Sequence, residues 1–424
     1  EGIGRNVAEP VVDMLFPAGS KGRIPIVAVT GTNGKTTTTR LNAHIAKTMG
    51  YKVGFTTSDG IYIQNRMMEK GDCTGPVSAK FVLMDPTIDY AVLECARGGL
   101  LKAGLAFDKC DISIVTNVTA DHIGLKDIDS VEEMAKVKSV VPETTRKEGY
   151  AILNADDDLV FDMRKNLECN LVLFSMDENN PRIKAHCERG GVAAVLEDGW
   201  VSIIKGTWKI RVEKVVNIPL TLGGKAAFMI QNILPCVAAA FVQNFKIEDL
   251  KLALNTFIPS PTMTPGRMNV FKFKHFEMLV DFAHNPDGFQ AISNYLAKVE
   301  MHPKVGVIAA AGDRRDEDIR ELGRIAGRTF DEIIIRQDKN LRGRTDEEIM
   351  NLLKEGIFEI NPNMPVICIN PEADSIKYCI ENAKKGSHIT VCSDVIAEAL
   401  DLIMQYKEKD DQFEFHKEEI PNMH

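Results

Sequence analysis

Short runs of Val, Ile, Leu and Ala recur along the chain, each closed by a turn and most followed by apolar residues at helical spacing. Ile26–Val29, Tyr51–Thr56, Tyr90–Glu94, Ile112–Val115 and Tyr150–Asn154 are the first five runs. Apolar stretches of this length between turn residues predict strands buried on both faces. Thr36–Met49, Val77–Met84 and Val131–Val141 predict helices between them. Strand and helix in alternation predict an α/β fold with a parallel sheet covered on its faces. Over residues 167–222 the pattern changes: Trp200–Ile204 and Trp208–Val212 alternate and predict antiparallel strands, a small β excursion before a long helical segment, Ala226–Val242. The proline-rich stretch Ile258–Arg267 predicts a domain boundary. Beyond it the alternation restarts with Glu277–Asp281, Lys304–Ala310, Glu332–Arg336, Val366–Ile369 and His388–Val391, enough for a second, Rossmann-like parallel sheet. The expected organisation is a lead-in over 1–22, a central domain over 23–257 and a C-terminal domain over 258–424. The last dozen residues are charged and expected to be loosely ordered.

The first strand carries the strongest chemical signal. Ile26–Val29 ends in the tight turn Gly31-Thr-Asn-Gly34, and Lys35, Thr36, Thr37 and two more threonines open the next helix. Glycines let successive N–H groups point into one cavity, and the helix dipole adds partial positive charge there, which suits phosphate. Lys35 would reach the terminal phosphates, and the Thr36 hydroxyl would lie where a Mg²⁺ needs oxygen. Gly31 stands three residues before Gly34, so this is a shortened form of the common P-loop. An ordinary strand–helix loop is the plainer alternative.

Composition narrows the class without naming the chemistry. The chain has 424 residues, 44% hydrophobic and 26% charged, which is ordinary for a soluble protein of two or three domains. A net charge of −9 argues against nucleic acid as the main partner. Apolar runs stay short of the ~20 residues a membrane span needs. Nine scattered cysteines, with no Cys-x-x-Cys pair, read as reduced thiols in a cytoplasm. The first residue is Glu1, which suggests a piece of a longer or processed polypeptide.

Glu94 and His122 follow the ends of apolar strands, on the edge of the sheet where ligands bind in open α/β folds. A carboxylate closing such a strand is costly to bury unless paired, and a divalent metal beside phosphates would pair it. A salt bridge to Arg97 or a lysine would serve equally. Lys136 reads as solvent-facing, whereas Lys138, among Val137, Val140 and Val141, could turn inward. In the second domain Asp281-Phe-Ala-His-Asn-Pro286 follows one strand, Gly312-Asp-Arg-Arg-Asp316 the next, and Asp338–Arg344 the one after. Two arginine clusters in a net-acidic chain suggest an acidic ligand. Surface salt bridges are the alternative.

Taken in order, Gly31–Thr36, Glu94, Asn117 with Asp121 and His122, Asn232, Arg267 and Asp281–Pro286 resemble the nucleotide and metal pattern of the Mur ligase superfamily. That superfamily includes the peptidoglycan amino-acid ligases, folylpolyglutamate synthase and the ligase half of cyanophycin synthetase. The chain is most similar to the last, through Thr74-Gly-Pro76, Leu93–Gly99, Thr264–Asn269, Gly312–Asp316 and Arg342-Gly-Arg344. The resemblance implies an ATP-dependent amide ligase working through an acyl phosphate, with Mg²⁺. It implies that Gly31, Thr32, Asn33, Gly34, Lys35, Thr36, Thr37, Asn232, Arg267, Asp281, His284 and Asn285 hold the nucleotide. Thr36, Glu94 and His122 would hold metal, with Lys35, Glu94, His122 and a carbamoylated Lys138 in catalysis. Thr74 and Arg97 would meet an acidic peptide acceptor, and Asp313, Arg342 and Arg344 the incoming amino acid, by this resemblance arginine. The resemblance covers the ligase half alone, so the ATP-grasp half of the similar synthetases is not expected within these 424 residues. A homo-oligomer, or fusion to such a half, is compatible with the pattern. The rivals are a folyl or cell-wall ligase, and a non-catalytic ATP-binding partner subunit.

Overall fold

In the computed structural model, which describes residues 7–16, 22–120, 128–337, 341 and 343–418, the two series of strands form two separate sheets. After a short helix α1 (Ala8–Leu15), the first unit contains β1 (Ile26–Thr30), α2 (Lys35–Thr48), β2 (Val53–Thr57), β3 (Gly60–Ile63), β4 (Arg66–Lys70) and α3 (Pro76–Leu83). It continues through β5 (Tyr90–Glu94), α4 (Arg97–Ala103), β6 (Cys110–Val115), α5 (Val131–Glu143), β7 (Thr145–Asn154) and α6 (Asp158–Asp162). Next come β8 (Asn170–Ser175), α7 (Pro181–Glu188), β9 (Val192–Glu197), β10 (Trp200–Lys205), β11 (Trp208–Lys214), α8 (Ala227–Val242) and α9 (Ile247–Thr256).

These strands make one sheet in the order β11-β10-β9-β8-β7-β6-β1-β5-β2-β3-β4. The run from β9 to β2 is parallel, and an antiparallel hairpin extends each end. The β excursion therefore adds its strands to the same sheet: β8 and β9 continue the parallel order and β10–β11 close its edge. The β3–β4 hairpin was not expected. Its strands are short, β4 is exposed throughout, and its Arg-Met-Met-Glu-Lys sequence has no alternation to read.

Period-two burial explains why β1 lies in the middle. Val27 and Val29 join one apolar cluster with Tyr90, Val92, Ile112 and Ile114, while Ile26 and Ala28 join another with Ala91 and Leu93. A strand with both faces apolar has to be covered on both. Helix α8 supplies much of one cover, since every residue from Met229 to Ala240 except Gln231 and Asn232 is apolar and buried, and the helix packs beside α2.

The second sheet is built from β12 (Asn269–Lys272), β13 (Glu277–Asp281), β14 (Lys304–Ile308), β15 (Glu332–Ile335), β16 (Val366–Cys368) and β17 (His388–Cys392). Its order is β12-β13-β17-β14-β15-β16, parallel except for β12, which pairs antiparallel with β13. Helices α10 (Pro286–Leu296), α11 (Asp316–Thr329), α12 (Asp346–Ile360), α13 (Glu372–Glu381) and α14 (Ile396–Glu418) connect or follow the strands. Helix α14 carries the chain into the charged tail, and residues 419–424 lie outside the described residues.

Helices α11 and α12 approach backbone to backbone through glycine. A Cβ on Gly356 would stand 2.0 Å from Arg320 O, and one on Gly323 2.3 Å from Leu353 O. Gly356→Ala should force the two helices apart and cost about 1–3 kcal/mol, as overpacking does. Urea unfolding checks this, and an unchanged midpoint would mean that the helices already have room to separate.

Candidate active site

The turn after β1 rises at the C-terminal edge of the first sheet, between the ends of β5 and β6, because those strands are its two neighbours. Gly34 caps α2 with φ +86°, and a Cβ there would lie 2.1 Å from Asn232 Oδ1 on α8. Gly31 has φ +143°, and its Cβ would meet Thr116 Oγ1 at 1.9 Å. Both positions therefore require glycine for backbone angle and for space. The loop is anchored from behind. Asn33 N donates to Asn117 Oδ1 at 2.8 Å, Thr116 Oγ1 to Asn33 O at 2.7 Å, and Thr32 N to Asn117 O at 2.8 Å. Lys35 Nζ folds over the turn and donates to Thr32 O at 2.7 Å. Thr37 is buried beneath the helix start.

Three segments distant in sequence meet at Thr36. Its Oγ1 lies 3.0 Å from Glu94 Oε2 and 3.0 Å from Ser58 Oγ. Arg267 Nη2 reaches Ser58 Oγ at 3.3 Å and Thr36 Oγ1 at 3.5 Å, with its guanidinium 4.6 Å above the Phe282 ring. Burial raises the Glu94 carboxyl above its ordinary range, against the opposing pull of Lys35 and Arg267. Burial also lowers the Arg267 guanidinium, with Asp281 and Glu94 pulling the other way. Asp281, raised by burial, accepts a hydrogen bond from Met268 N at 2.9 Å and so ties the Arg267 turn to the end of β13. Hydroxyl and carboxylate oxygens around a buried negative charge are the donor set of a hard divalent cation.

Asn285 caps α10 through Gly288 N at 2.8 Å, and its Nδ2 donates to Asn33 Oδ1 at 3.1 Å, so the second unit touches the glycine turn directly. His284, half-buried, is held by Phe282 O at 2.9 Å from Nδ1. Lys138 turns inward, is 3% exposed and donates to Gly31 O at 2.7 Å, whereas Lys136 is exposed. On the other side of Glu94, Ala96 N donates to Thr74 O at 3.3 Å, and Gly99 packs so closely on Gly75 that a Cβ would come within 2.8 Å of it. Thr74 and the half-buried Arg97 are thereby brought together beside Glu94.

The C-terminal arginines behave differently. Arg344 donates to Gly312 O at 3.0 Å and Arg314 O at 2.9 Å and pairs with Asp316 at 2.8 Å, so it braces the loop carrying half-buried Asp313. Arg342 and His122 lie outside the described residues. Sequence reasoning missed Ser58, which touches Thr36 and Arg267, and the Asp59–Arg40 pair that supports it without entering the site. The signal for Ser58 and Asp59 was the Thr-Ser-Asp-Gly turn closing β2, a parallel strand ending on the same edge as Glu94.

Family comparison agrees with this geometry. The family model described as Mur ligase middle domain matches residues 29–240, half of the chain, and the one described as Mur ligase, glutamate ligase domain matches residues 266–395. The chain belongs to the Mur ligase family. Cyanophycin synthetases of Geminocystis herdmanii and Synechocystis sp. are each 48% identical, over 96% of this chain and 46% of the relative. The chain thus spans about half the length of those curated relatives. A UDP-N-acetylmuramoyl-L-alanyl-D-glutamate–2,6-diaminopimelate ligase of Caldanaerobacter subterraneus is 26% identical over 87% of this chain and 72% of its own length. Among solved structures, E. coli FolC in complex with ADP shares the fold, with TM-score 0.68 at 17% identity, covering 92% of this chain and 91% of that one. The glycine turn and Glu94 fall within the middle-domain match, and Arg267 and Asp281–Asn285 within the C-terminal one.

The raised Glu94 has a consequence for stability. The folded chain holds this proton where the unfolded chain has lost it, so ionised Glu94 costs stability, increasingly as pH rises from the unfolded value through the folded one. Without added metal, Glu94→Gln should melt higher than wild type near about pH 8, with the gain shrinking toward about pH 4 where both are neutral. Thermal melts across pH test this, and a variant no more stable at any pH would contradict it.

Proposed function

We propose that this Mur ligase family chain is an ATP-dependent amide ligase, and that it joins arginine to aspartate β-carboxylates of a cyanophycin-type acidic polymer. The observation that carries the ligase reading is the meeting of Thr36, Glu94 and Arg267, where a second-unit arginine reaches the hydroxyl–carboxylate pair at the start of a phosphate-binding helix. The acidic-polymer reading rests on the 48% identity to cyanophycin synthetases and on Arg97 beside Thr74. The proposed units are a central domain over 23–257 and a C-terminal domain over 258–424, with 1–22 leading in. Nine free cysteines suit a reducing, cytoplasmic setting. Among the described residues no helix is long and apolar enough to cross a membrane.

In this reading Lys35 and the backbone N–H groups of Gly31–Thr37 hold the β- and γ-phosphates. Lys35 would exchange its bond to Thr32 O for a phosphate oxygen. Thr36 and Glu94 would hold Mg²⁺, with His122 and a carbamoylated Lys138 completing the metal set. The metal's contribution is to neutralise phosphate charge. Arg267, desolvated and fixed by the Asp281 turn, would add positive charge where negative charge develops on the transferring phosphoryl group. Asn232, His284 and Asn285 would complete the nucleotide contacts, and the Asn33–Asn285 bond supports a reading in which the second domain closes the site against water. The carboxylate attacks the γ-phosphorus to give an acyl phosphate and ADP. The amine then displaces phosphate, so one ATP yields one amide, one ADP and one phosphate. Asp313 would meet the amino acid, and Arg344 would act through the loop that it braces.

Incubation with ATP, Mg²⁺, poly-aspartate and arginine should release phosphate and add arginine mass to the polymer, with lysine as the comparison amine. Lys35→Ala should lower phosphate release by at least about 100-fold, the scale for losing one electrostatic contact to a transition state. Turnover near wild type would overturn the assignment. Nucleotide binding without turnover for any acceptor would favour a partner-subunit role, and turnover with folyl or cell-wall acceptors would reassign the substrate.

A further inference from the structure

The turn Thr57–Gly60 stands between the two ends of the candidate site. On one side Ser58 Oγ touches Thr36 Oγ1 and accepts from Arg267. On the other, Gly71 N donates to Asp59 O and Cys73 N to Thr57 O, each at 3.1 Å, so the loop leading to Thr74 hangs from the same turn. Among the described residues, the side chains that hold the turn from below form a compact polar cluster. Arg40, on the phosphate-binding helix and 5% exposed, forms an ion pair with Asp59 and donates to Tyr62 OH at 2.7 Å. Tyr62 OH donates to Asp59 Oδ2 at 2.5 Å, and Thr57 Oγ1 to Asp59 Oδ1 at 2.8 Å. The guanidinium lies 4.7 Å from the Tyr62 ring centroid, and that ring stacks on Phe55 at 4.5 Å. The remaining arm of Arg40 reaches Met263 O at 3.3 Å, in the segment that leads to Arg267.

A buried guanidinium needs a partner with matched geometry, and once paired it holds both elements rigidly. Here one guanidinium binds the helix that starts at the phosphate loop, the Ser58 turn and the segment leading to Arg267. We propose that Arg40, Asp59 and Tyr62 are positioning residues that make the Thr57–Gly60 turn a link, through which occupancy of the Thr36–Glu94 end orders the acceptor-side loop at residues 71–74. This rests on the nucleotide reading proposed above. It assigns the cluster no contact with substrate.

The amides of Gly71 and Cys73 report on the link directly, because the turn accepts their hydrogen bonds. Hydrogen exchange of residues 71–74 should be measured with and without Mg²⁺ and a non-hydrolysable ATP analogue, alongside calorimetric binding of that analogue. In wild type, binding should slow exchange of this loop about tenfold, within the usual range of site-to-site coupling. In Asp59→Asn the bound-to-free ratio should fall to near one, while analogue affinity stays within about threefold of wild type. Tyr62→Phe, which keeps the ring stack, should reduce the ratio at least about threefold and serves alone if the first variant does not fold. A merely structural cluster would speed exchange equally in both states and leave the ratio unchanged, which would overturn the proposal. Analogue binding with no slowing in wild type would overturn it also. Absence of analogue binding in wild type would remove the nucleotide reading, and this proposal with it.

Discussion

A carboxylate buried at the end of a central strand is the constraint around which this structure is arranged. Glu94 is 3% exposed, and its neighbours are those that make such burial tolerable: the Thr36 hydroxyl, the nearby charge of Lys35 and the guanidinium of Arg267. They come from two places, the first two from the helix after β1 and the third from beyond the first sheet. Compensation is incomplete, since burial still raises the carboxyl. The site therefore carries a local electrostatic cost that a bound cation would relieve.

That cost is distributed through shared supports. Asn117 and Thr116 hold the glycine turn from the end of β6, Asp281 holds the turn that presents Arg267, and Asn285 touches Asn33 from the head of α10. Because β5, β1 and β6 are parallel neighbours, their following loops emerge on one edge, and the ends of β2 and β13 meet it there. The two parallel sheets need not be continuous to build one site; they need only present the same edge to each other. The reach of Arg40 to Met263 O, and of Arg267 to Ser58, stitches that junction with buried guanidinium groups.

Much of this order was readable in the chain. The buried strands of the parallel cores showed themselves as continuous apolar runs, and Tyr90–Glu94 matches its strand end to end. The glycine turn was legible because Gly31 and Gly34 have no substitute where Thr116 and Asn232 crowd them. Lys138 was readable as inward from its valine neighbours, and the structure buries it against Gly31 O. The β3–β4 hairpin and the antiparallel β12 were not legible: β4 is an exposed edge strand with no hydrophobic period, and β3 and β12 are four residues each, too short to establish one. Arg344 illustrates a different limit. An arginine beside Gly and Arg suggests ligand recognition, yet its fork is engaged by two carbonyls and Asp316 of its own domain.

The division follows from the range of the forces involved. Strand, turn and helix depend on backbone sterics and on which side chains leave water, and both are written in residues a few positions apart. The order of eleven strands, the placing of Ser58 and Asp59 beside Thr36, and the arrival of Arg267 at a carboxylate more than 170 positions earlier depend on how the layers close. Buried polar groups take whichever partner the packed layers bring near, and no local pattern names that partner in advance.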